Sequence, residues 1–169
     1  MSERFIVKGY MPCVSILTAE VPTPQEEYAA WELTHYINLM GSVSVPREKE
    51  YRDTPVIAIG AAAAVLGFKE EAFHEEGFRI VTRDGSMAIM GGVRGIIYGV
   101  YELLEMLGCR FFTPLCEQIP SVGDIPMPQV DVAQTPILEY RRHAYADIKR
   151  NDRFAAKLRL NADSLPEYL

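Results

Sequence analysis

Residues 86–112 read S-M-A-I-M-G-G-V-R-G-I-I-Y-G-V-Y-E-L-L-E-M-L-G-C-R-F-F, and this stretch decides the fold. The apolar run 87–90 predicts a buried strand, and Gly91-Gly92 after it predicts a turn that needs glycine. A helix is predicted over 93–107, where apolar residues recur at helical spacing: Ile96, Val100, Leu103, Leu104 and Leu107. Gly108 ends this helix, and a further strand is predicted at 110–112.

Two glycines lie four residues apart on one face of the predicted helix, at Gly95 and Gly99. Each costs roughly 1 kcal/mol relative to alanine inside a helix, so we expect another part of the backbone to approach there closely. The other positions are predicted to lie on the surface: Arg94, Tyr98, Glu102 and Glu105. The glycine spacing does not match G-x-G-x-x-G and no acidic residue follows at 110–112, so no nucleotide cofactor is expected.

Upstream, a strand at 14–19 leads into a well-marked helix start. Thr23 and Glu26 form a capping box, with a proline between them at the first helical position. The apolar positions keep the helical period until Gly41 closes the helix. The aromatic rings of Trp31 and Tyr36 on this helix would suit stacking on a sugar, or they are partly buried against the core.

The middle of the chain predicts several short elements. These are an edge strand at 43–45, a solvated loop at 47–50, a central strand at 56–59, a short helix at 61–66, an exposed loop at 69–76, and a strand at 78–82 that pairs with 87–90 as a hairpin. The acidic residues of the exposed loop are interpreted as solvated charges, with a metal or acid/base cluster as the alternative: Glu70, Glu71, Glu75 and Glu76.

The cysteines and histidines show no ligand spacing, so neither a disulfide framework nor a metal site is predicted: Cys13, Cys109, Cys116, His35, His74 and His143. The 169 residues carry a net charge of −6 with no basic cluster, which argues against nucleic acid and anionic membranes as partners. No apolar run is long enough to span a bilayer, and residues 1–9 lack a signal-peptide core. The expected location is cytoplasmic, or secreted or periplasmic if an export signal has been removed.

Five prolines between 114 and 136 predict an extended crossing toward another unit. We therefore divide the chain into a domain at 1–136 and a segment at 137–169. In the second part, 137–146 predicts a strand and 150–160 a helix, with Phe154, Ala155 and Leu158 facing inward and Leu160 as a further candidate.

Residues 95–114, G-x-x-Y-G-V-Y-x-L-L-E-x-L-G-C-R-F-F-x-P, resemble the segment that closes the small N-terminal α/β domain of family 20 hexosaminidases and family 67 α-glucuronidases. The resemblance spans roughly 14–120. It implies an α+β fold in which helices 24–40 and 93–107 pack on one face of a mixed sheet. We expect the strands at 14–19, 56–59, 78–82, 87–90 and 110–112 to share that sheet. In those families the domain carries no catalytic residue and precedes a (β/α)8 barrel, whose first strand and helix would lie in 137–169.

The first barrel strand of family 20 carries a sugar-binding arginine in a run similar to R-G-x-x-x-D-x-x-R. Residues 142–150 keep Arg142, Asp147 and Arg150 at that spacing, with His143 in place of the glycine. The resemblance implies that Arg142 contacts the sugar and that Asp147 assists it. The alternative is that these are solvated surface charges.

The family's catalytic Asp-Glu pair lies on a later barrel strand that these residues do not include, so the chain alone is expected to hydrolyse no glycoside. The sequence thus predicts a non-catalytic N-terminal domain of a glycoside-hydrolase-like protein, which meets carbohydrate through a complete barrel. The alternative is a free-standing module that binds carbohydrate or protein through exposed aromatic residues, namely Tyr98, Tyr101 and Phe112.

Overall fold

A six-stranded mixed sheet forms the centre of the fold in a computed structural model that describes residues 3–69 and 71–161. The strands are β1 Phe5–Lys8, β2 Met11–Pro12, β3 Ser15–Leu17, β4 Arg47–Glu48, β5 Val56–Ile59, β6 Phe78–Arg83, β7 Ser86–Gly91, β8 Arg110–Thr113, β9 Cys116–Gln118, β10 Ile125–Pro126 and β11 Asp131–Gln134. The helices are α1 Pro24–Gly41, α2 Gly95–Met106, α3 Ala146–Lys149 and α4 Asp152–Lys157, with a 3₁₀ helix at Gly60–Leu66. The predicted α+β class is confirmed.

The strand order of the central sheet is β11-β6-β7-β5-β3-β4. β7, β5, β3 and β4 run parallel, while β6 is antiparallel to both β7 and β11. β6 and β7 form the predicted hairpin, turning at Asp84 and Gly85, which both have positive φ (51° and 84°). Left-handed backbone at both turn positions is the geometry that a two-residue hairpin turn requires.

The two faces of the sheet carry different layers. Ile16, Ile57 and Ile89 pack in one apolar cluster with residues of α1 and α2. Their strand neighbours Leu17 and Ala58 point the other way and pack against the 3₁₀ helix. Because side chains alternate along a strand, this division places both long helices on one face, as predicted.

The start and end of α1 follow its sequence signals closely. Thr23 Oγ1 accepts a hydrogen bond from the Glu26 N–H at 3.2 Å, and Glu26 Oε2 accepts one from the Thr23 N–H at 2.8 Å. The predicted capping box is therefore confirmed. The left-handed residue that ends the helix is Ser42 (φ 49°), one position after the predicted Gly41.

The glycine face of α2 lies against the rest of the sheet layer, as predicted. A Cβ placed on Gly95 would lie 1.9 Å from the carbonyl oxygen of Gly77. One placed on Gly99 would lie 2.9 Å from Cγ2 of Ile89, a sheet residue. The helix therefore sits close to the sheet layer because these two side chains are absent.

The prediction that the strand at 110–112 joins the central sheet is wrong for β8. It pairs only with β9, in a separate two-stranded hairpin, and does not join the central sheet. Phe111 explains this placement, because its ring packs edge-on against Tyr36 and Tyr101 at centroid distances of 5.4 and 5.7 Å. The aromatic strand thus covers the helices and not the sheet.

The shortest strands were also placed wrongly or missed by sequence. The edge strand lies at Arg47–Glu48, within the predicted loop, and not at 43–45. β1 was not predicted, and it pairs with β2 and β10 in a small third sheet. β11 lies in the proline-rich stretch predicted to be a crossing, and it forms the outer edge of the central sheet. Strands of two to four residues carry too few side chains to show an alternating pattern. Whether such a segment forms a strand therefore depends on the strand with which it pairs.

The C-terminal part differs from the predicted strand and helix. No strand forms in 137–145, because no neighbouring strand in the described part of the chain is there to accept its hydrogen bonds. Two short helices, α3 and α4, replace the single helix predicted at 150–160. Phe154 and Ala155 face inward as predicted, whereas Leu158 is 38% exposed. The domain boundary near 136 stays a prediction.

Candidate functional site

The outer side of α1 and α2 carries a face rich in carboxylates and tyrosines, which α4 and its flanking residues cover. On α1, Tyr28, Glu32 and Tyr36 are spaced four apart and so form one stripe. The whole set, which we call the docking face, is Tyr28, Glu32, Tyr36, Glu76, Tyr98, Tyr101, Glu102, Glu105 and Glu117. Its charged partners come from the C-terminal residues 141–159, apart from a longer contact of 4.0 Å between Arg94 and Glu76.

Glu32 is the most buried carboxylate of these ion pairs, although its partner Arg153 is 39% exposed. The Glu32 side chain is fully buried, and Arg153 holds both carboxylate oxygens, with Nε to Oε1 at 2.6 Å and Nη2 to Oε2 at 3.2 Å. The Tyr28 hydroxyl donates a further hydrogen bond to Oε1 at 2.8 Å. The guanidinium lies 5.1 Å from the ring centroid of Trp31. Forked guanidinium–carboxylate pairs of this kind are strong and directional.

Glu76 is held in the same way by Arg141. Two guanidinium nitrogens donate to its two oxygens, each at 3.0 Å. The hydroxyl of Tyr98 donates at 3.2 Å and the side-chain amide of Asn161 at 3.1 Å. With four donors in place, the carboxylate is buried at 3% exposure without losing its hydrogen bonds.

The burial of Glu76 corrects the prediction of an exposed acidic loop at 69–76. Glu71 pairs with Arg79 at 2.8 Å and Glu75 with Arg94 at 3.8 Å, so these acids face different cations. Glu70 lies outside the described residues. In the described ranges no group of three or more histidine, cysteine, aspartate or glutamate side chains is arranged to hold a metal ion.

Glu117 and the acids of α2 complete the docking face. Lys157 donates to one oxygen of Glu117, and the Tyr36 hydroxyl donates to the other at 2.7 Å. Burial acts to raise the pKa of Glu117, but these hydrogen bonds outweigh it, so the pKa is lowered from 4.5. Arg159 donates to Glu102 at 2.6 Å and to Glu105 at 2.8 Å. Each of the four C-terminal cations thus has its own carboxylate partner.

The exposure predicted for the tyrosines of this face is wrong in part. Tyr98 and Tyr101, predicted to be exposed, are 1% and 0% exposed, because the C-terminal segment and β8 form a further layer outside the helices. Tyr36 is also fully buried, which excludes it from stacking on a sugar. Trp31 remains 44% exposed and stacks on His35, and Phe112 is exposed as predicted.

A tyrosine titration is expected to detect the burial of the docking-face tyrosines; outside that face, partial desolvation and the neighbouring Asp53 also raise the pKa of Tyr51. Burial raises the pKa of Tyr28, Tyr36, Tyr98 and Tyr101 above 10.0, since the phenolate would lose its hydration. A raised folded-state pKa stabilises the fold below pH 10 and loses that contribution as the pH rises through the folded value. Phenolate absorbance at about pH 11 should therefore show these four of the nine tyrosines still protonated. In concentrated guanidinium chloride all nine tyrosines should ionise together near pH 10. Ionisation of all nine in the native protein at about pH 11 would contradict the burial of these four side chains.

The two residues predicted to bind sugar lie on the same C-terminal segment as the docking cations. Both Arg142 and Asp147 are exposed. Arg142 is the neighbour of Arg141, which turns inward to Glu76, while Asp147 lies in the first turn of α3. Their role in sugar binding stays a prediction.

The ion pairs were missed by sequence, although a signal was present. Residues 137–161 hold seven basic residues against three acidic ones in a chain that is acidic overall: Arg141, Arg142, Lys149, Arg150, Arg153, Lys157 and Arg159 against Glu139, Asp147 and Asp152. Such an asymmetry favours electrostatic docking of the segment on the rest of the chain.

Comparison with known proteins finds solved structures of similar fold but no matching sequence family. No family model and no curated protein sequence matches the chain. A family GH115 4-O-methyl-α-glucuronidase with specificity for decorated arabinogalactans is similar with a TM-score of 0.70 at 14% identity, over 94% of this chain and 25% of that one. A mutant β-hexosaminidase of Streptomyces plicatus in complex with its product GlcNAc gives 0.59 at 13% identity, over 95% of this chain and 30% of that one.

The GH20 β-N-acetylhexosaminidase of Streptomyces coelicolor gives a TM-score of 0.55 at 16% identity, over 95% of this chain and 31% of that one. This chain thus spans about a quarter to a third of the length of these proteins. At such low identities the likeness shows the fold alone, and it confirms the α+β fold that the resemblance of residues 95–114 implied. In the described ranges no helix is both long and apolar enough to cross a membrane.

Proposed function

We propose that this chain is the non-catalytic N-terminal domain of a glycoside-hydrolase-like protein, joined to the first residues of the domain that follows. The solved structures with a similar fold include a glucuronidase and hexosaminidases, which supports a role connected with carbohydrate. The observation that carries the proposal is the docking face. Four cations within 141–159 pair with carboxylates of the α+β domain, so this domain positions the chain that follows it.

The chemistry of the docking face supports a positioning role over a catalytic one. Glycoside hydrolysis needs one carboxylic acid that gives a proton and one free carboxylate that acts as nucleophile or base. Both oxygens of Glu32 and of Glu76 accept hydrogen bonds from a guanidinium group, and those of Glu117 accept from Lys157 and Tyr36. These carboxylates are engaged with cations and hydroxyls of the same chain, which supports a structural role for them.

The 169-residue chain is accordingly expected to turn over no glycoside. The measurement is release of chromophore from a panel of aryl glycosides that includes glucuronides and N-acetylglucosaminides. Turnover that disappears on substitution of a single aspartate or glutamate would overturn the proposal. Retention in gels that contain soluble polysaccharide, without turnover, would instead support the alternative of a free-standing carbohydrate-binding module.

We further propose that Arg142 contacts the sugar in the complete site and that Asp147 either accepts a hydrogen bond from a sugar hydroxyl or supports Arg142. A guanidinium can hold two adjacent hydroxyl oxygens through its forked donors, which the point charge of lysine cannot do. In a version of the protein that includes a barrel, Arg142→Ala should weaken substrate binding by about tenfold or more. Lys149→Ala, which removes an exposed cation of the same segment that is not one of the three motif residues, is the matched control and should have no effect. Equal kinetics for the two variants would assign Arg142 to the solvated surface.

A further inference from the structure

A cavity opens at the carboxyl ends of the parallel strands, and it shares no residue with the docking face. β3 and β5 are neighbours in the sheet, but α1, which follows β3, packs on one face, and the 3₁₀ helix, which follows β5, packs on the other. Adjacent parallel strands whose helices leave in opposite directions form a crevice at their carboxyl ends, where ligands of open α/β sheets bind. The cavity has a volume of about 490 Å³, within the range of small-molecule sites.

The inner side of the cavity is apolar and partly aromatic. It is lined by Ala63, Phe68 and Met90, each at most 8% exposed, together with the half-buried Phe73. The outer face of the Phe68 ring is covered by the Arg83 guanidinium, 4.0 Å from the ring centroid, which holds the ring in place. Such a floor suits the flat apolar face of a ring-shaped ligand.

Two carboxylates line the cavity: Glu71 is exposed and pairs with Arg79, whereas Glu26 is held in a fixed position. Oε2 accepts from the Thr23 N–H and Oε1 from the Ala61 N–H, both at 2.8 Å, so the group is tied to α1 and to the 3₁₀ helix at once. Gly60 makes this approach possible, because its φ is +59° and a Cβ there would lie 1.8 Å from Oε1. Each carboxylate oxygen retains a further lone pair for a donor from a ligand.

Besides Glu26, the cavity is lined by Glu71, which pairs with Arg79, and by the exposed Lys69, so its charges are close to balanced and favour an uncharged ligand. The Glu26 carboxylate lies in the first turn of α1, where the positive end of the helix dipole compensates its charge. An anionic ligand would be repelled by the Glu26 carboxylate, and a cationic ligand would be repelled by Lys69 and would gain little from a carboxylate charge that the helix dipole already compensates. Hydroxyl groups, by contrast, donate to carboxylate oxygens without a net charge. We propose that this cavity binds an uncharged ring polyol or monosaccharide, with hydroxyls on Glu26 and the ring face over Phe73 and Met90.

The test is a titration of the isotope-labelled chain, followed by amide NMR, with glucose, myo-inositol, glucuronate and glucosamine as probes. We expect the amides of Ala61, Ala64 and Gly91 to shift and saturate with glucose or myo-inositol, with a Kd on the order of millimolar for so small a ligand. Glucuronate should bind about tenfold more weakly and glucosamine within a few-fold of glucose. No saturable shift with either neutral probe, or tenfold tighter binding of the charged sugars, would overturn the proposal.

Three variants localise any binding that is seen. Ala64→Phe fills the cavity from an exposed position of its lining and should abolish the shifts. Glu26→Gln should weaken binding about tenfold, since one acceptor oxygen and the charge are lost. Glu27→Gln is the matched control, because Glu27 is the next residue on the same helix, does not line the cavity and pairs with Arg47. Unchanged binding in Ala64→Phe, or equal weakening by both glutamine variants, would place the ligand elsewhere and contradict the assignment. The result is independent of the proposed function, which concerns the docking face.

Discussion

Replacing Arg153 by alanine is expected to lower the free energy of unfolding by about 3–5 kcal/mol, because it leaves a buried carboxylate without its cation. Glu32 is fully buried, and two of its three hydrogen-bond donors belong to Arg153. The remaining donor, the Tyr28 hydroxyl, does not balance the charge. Denaturant unfolding followed by the fluorescence of Trp31, the only tryptophan and a neighbour of the guanidinium, measures the loss.

The control for Arg153 is an arginine of similar exposure whose carboxylate partner, unlike Glu32, is exposed to solvent. Arg47 bonds to Glu27 at 2.6 Å, and the two side chains are 33% and 50% exposed. Arg47→Ala should therefore cost about 1 kcal/mol or less. The double variant Glu32→Leu with Arg153→Met removes both charges together and should recover most of the stability lost by Arg153→Ala. A cost for Arg153→Ala no larger than that for Arg47→Ala would show that Glu32 is hydrated in solution and that the docking face is open.

Gly95→Ala is the second substitution with a large expected effect, at about 4 kcal/mol or more of lost stability. The new Cβ would lie 1.9 Å from the carbonyl oxygen of Gly77 and 2.6 Å from its carbonyl carbon. Both are backbone atoms that bonds to neighbouring residues hold in place: the Gly92 N–H donates to the same Gly77 oxygen at 2.9 Å. The clash is therefore relieved only if α2 moves away from the loop before β6.

Gly99→Ala, one turn further along the same helix face, is the comparison for this effect. Its Cβ would meet Cγ2 of Ile89 at 2.9 Å, the end of a side chain that can shift. Alanine also favours the helix over glycine by about 1 kcal/mol, which offsets part of the crowding. We expect a net loss of about 1–2 kcal/mol, measured by thermal and denaturant unfolding. Equal costs at the two positions would mean that the backbone contact at Gly95 is not as close as the structure has it.

Local signals in the sequence determined the elements of this fold. The capping box at Thr23 and Glu26 begins α1, and the Asp84-Gly85 pair closes the β6–β7 hairpin, because both depend on contacts within a few residues. The apolar run 56–59 and the glycine face of α2 indicated a buried strand and a close approach, and both are present. The resemblance of residues 95–114 to the glycosidase N-terminal domain indicated the α+β class.

Only the tertiary structure shows which residues the C-terminal segment covers and which strands pair at the edges of the sheets. The carboxylate of Glu32 is buried by Arg153, 121 positions away, and that of Glu76 by Arg141, 65 positions away. A helix period identifies residues that share a face, but the same polar residue is solvated or buried according to what covers that face. Strand β8 pairs with β9, and β11 with β6, for the same reason: hydrogen bonds between strands join residues whose distance along the chain leaves no mark on the local pattern.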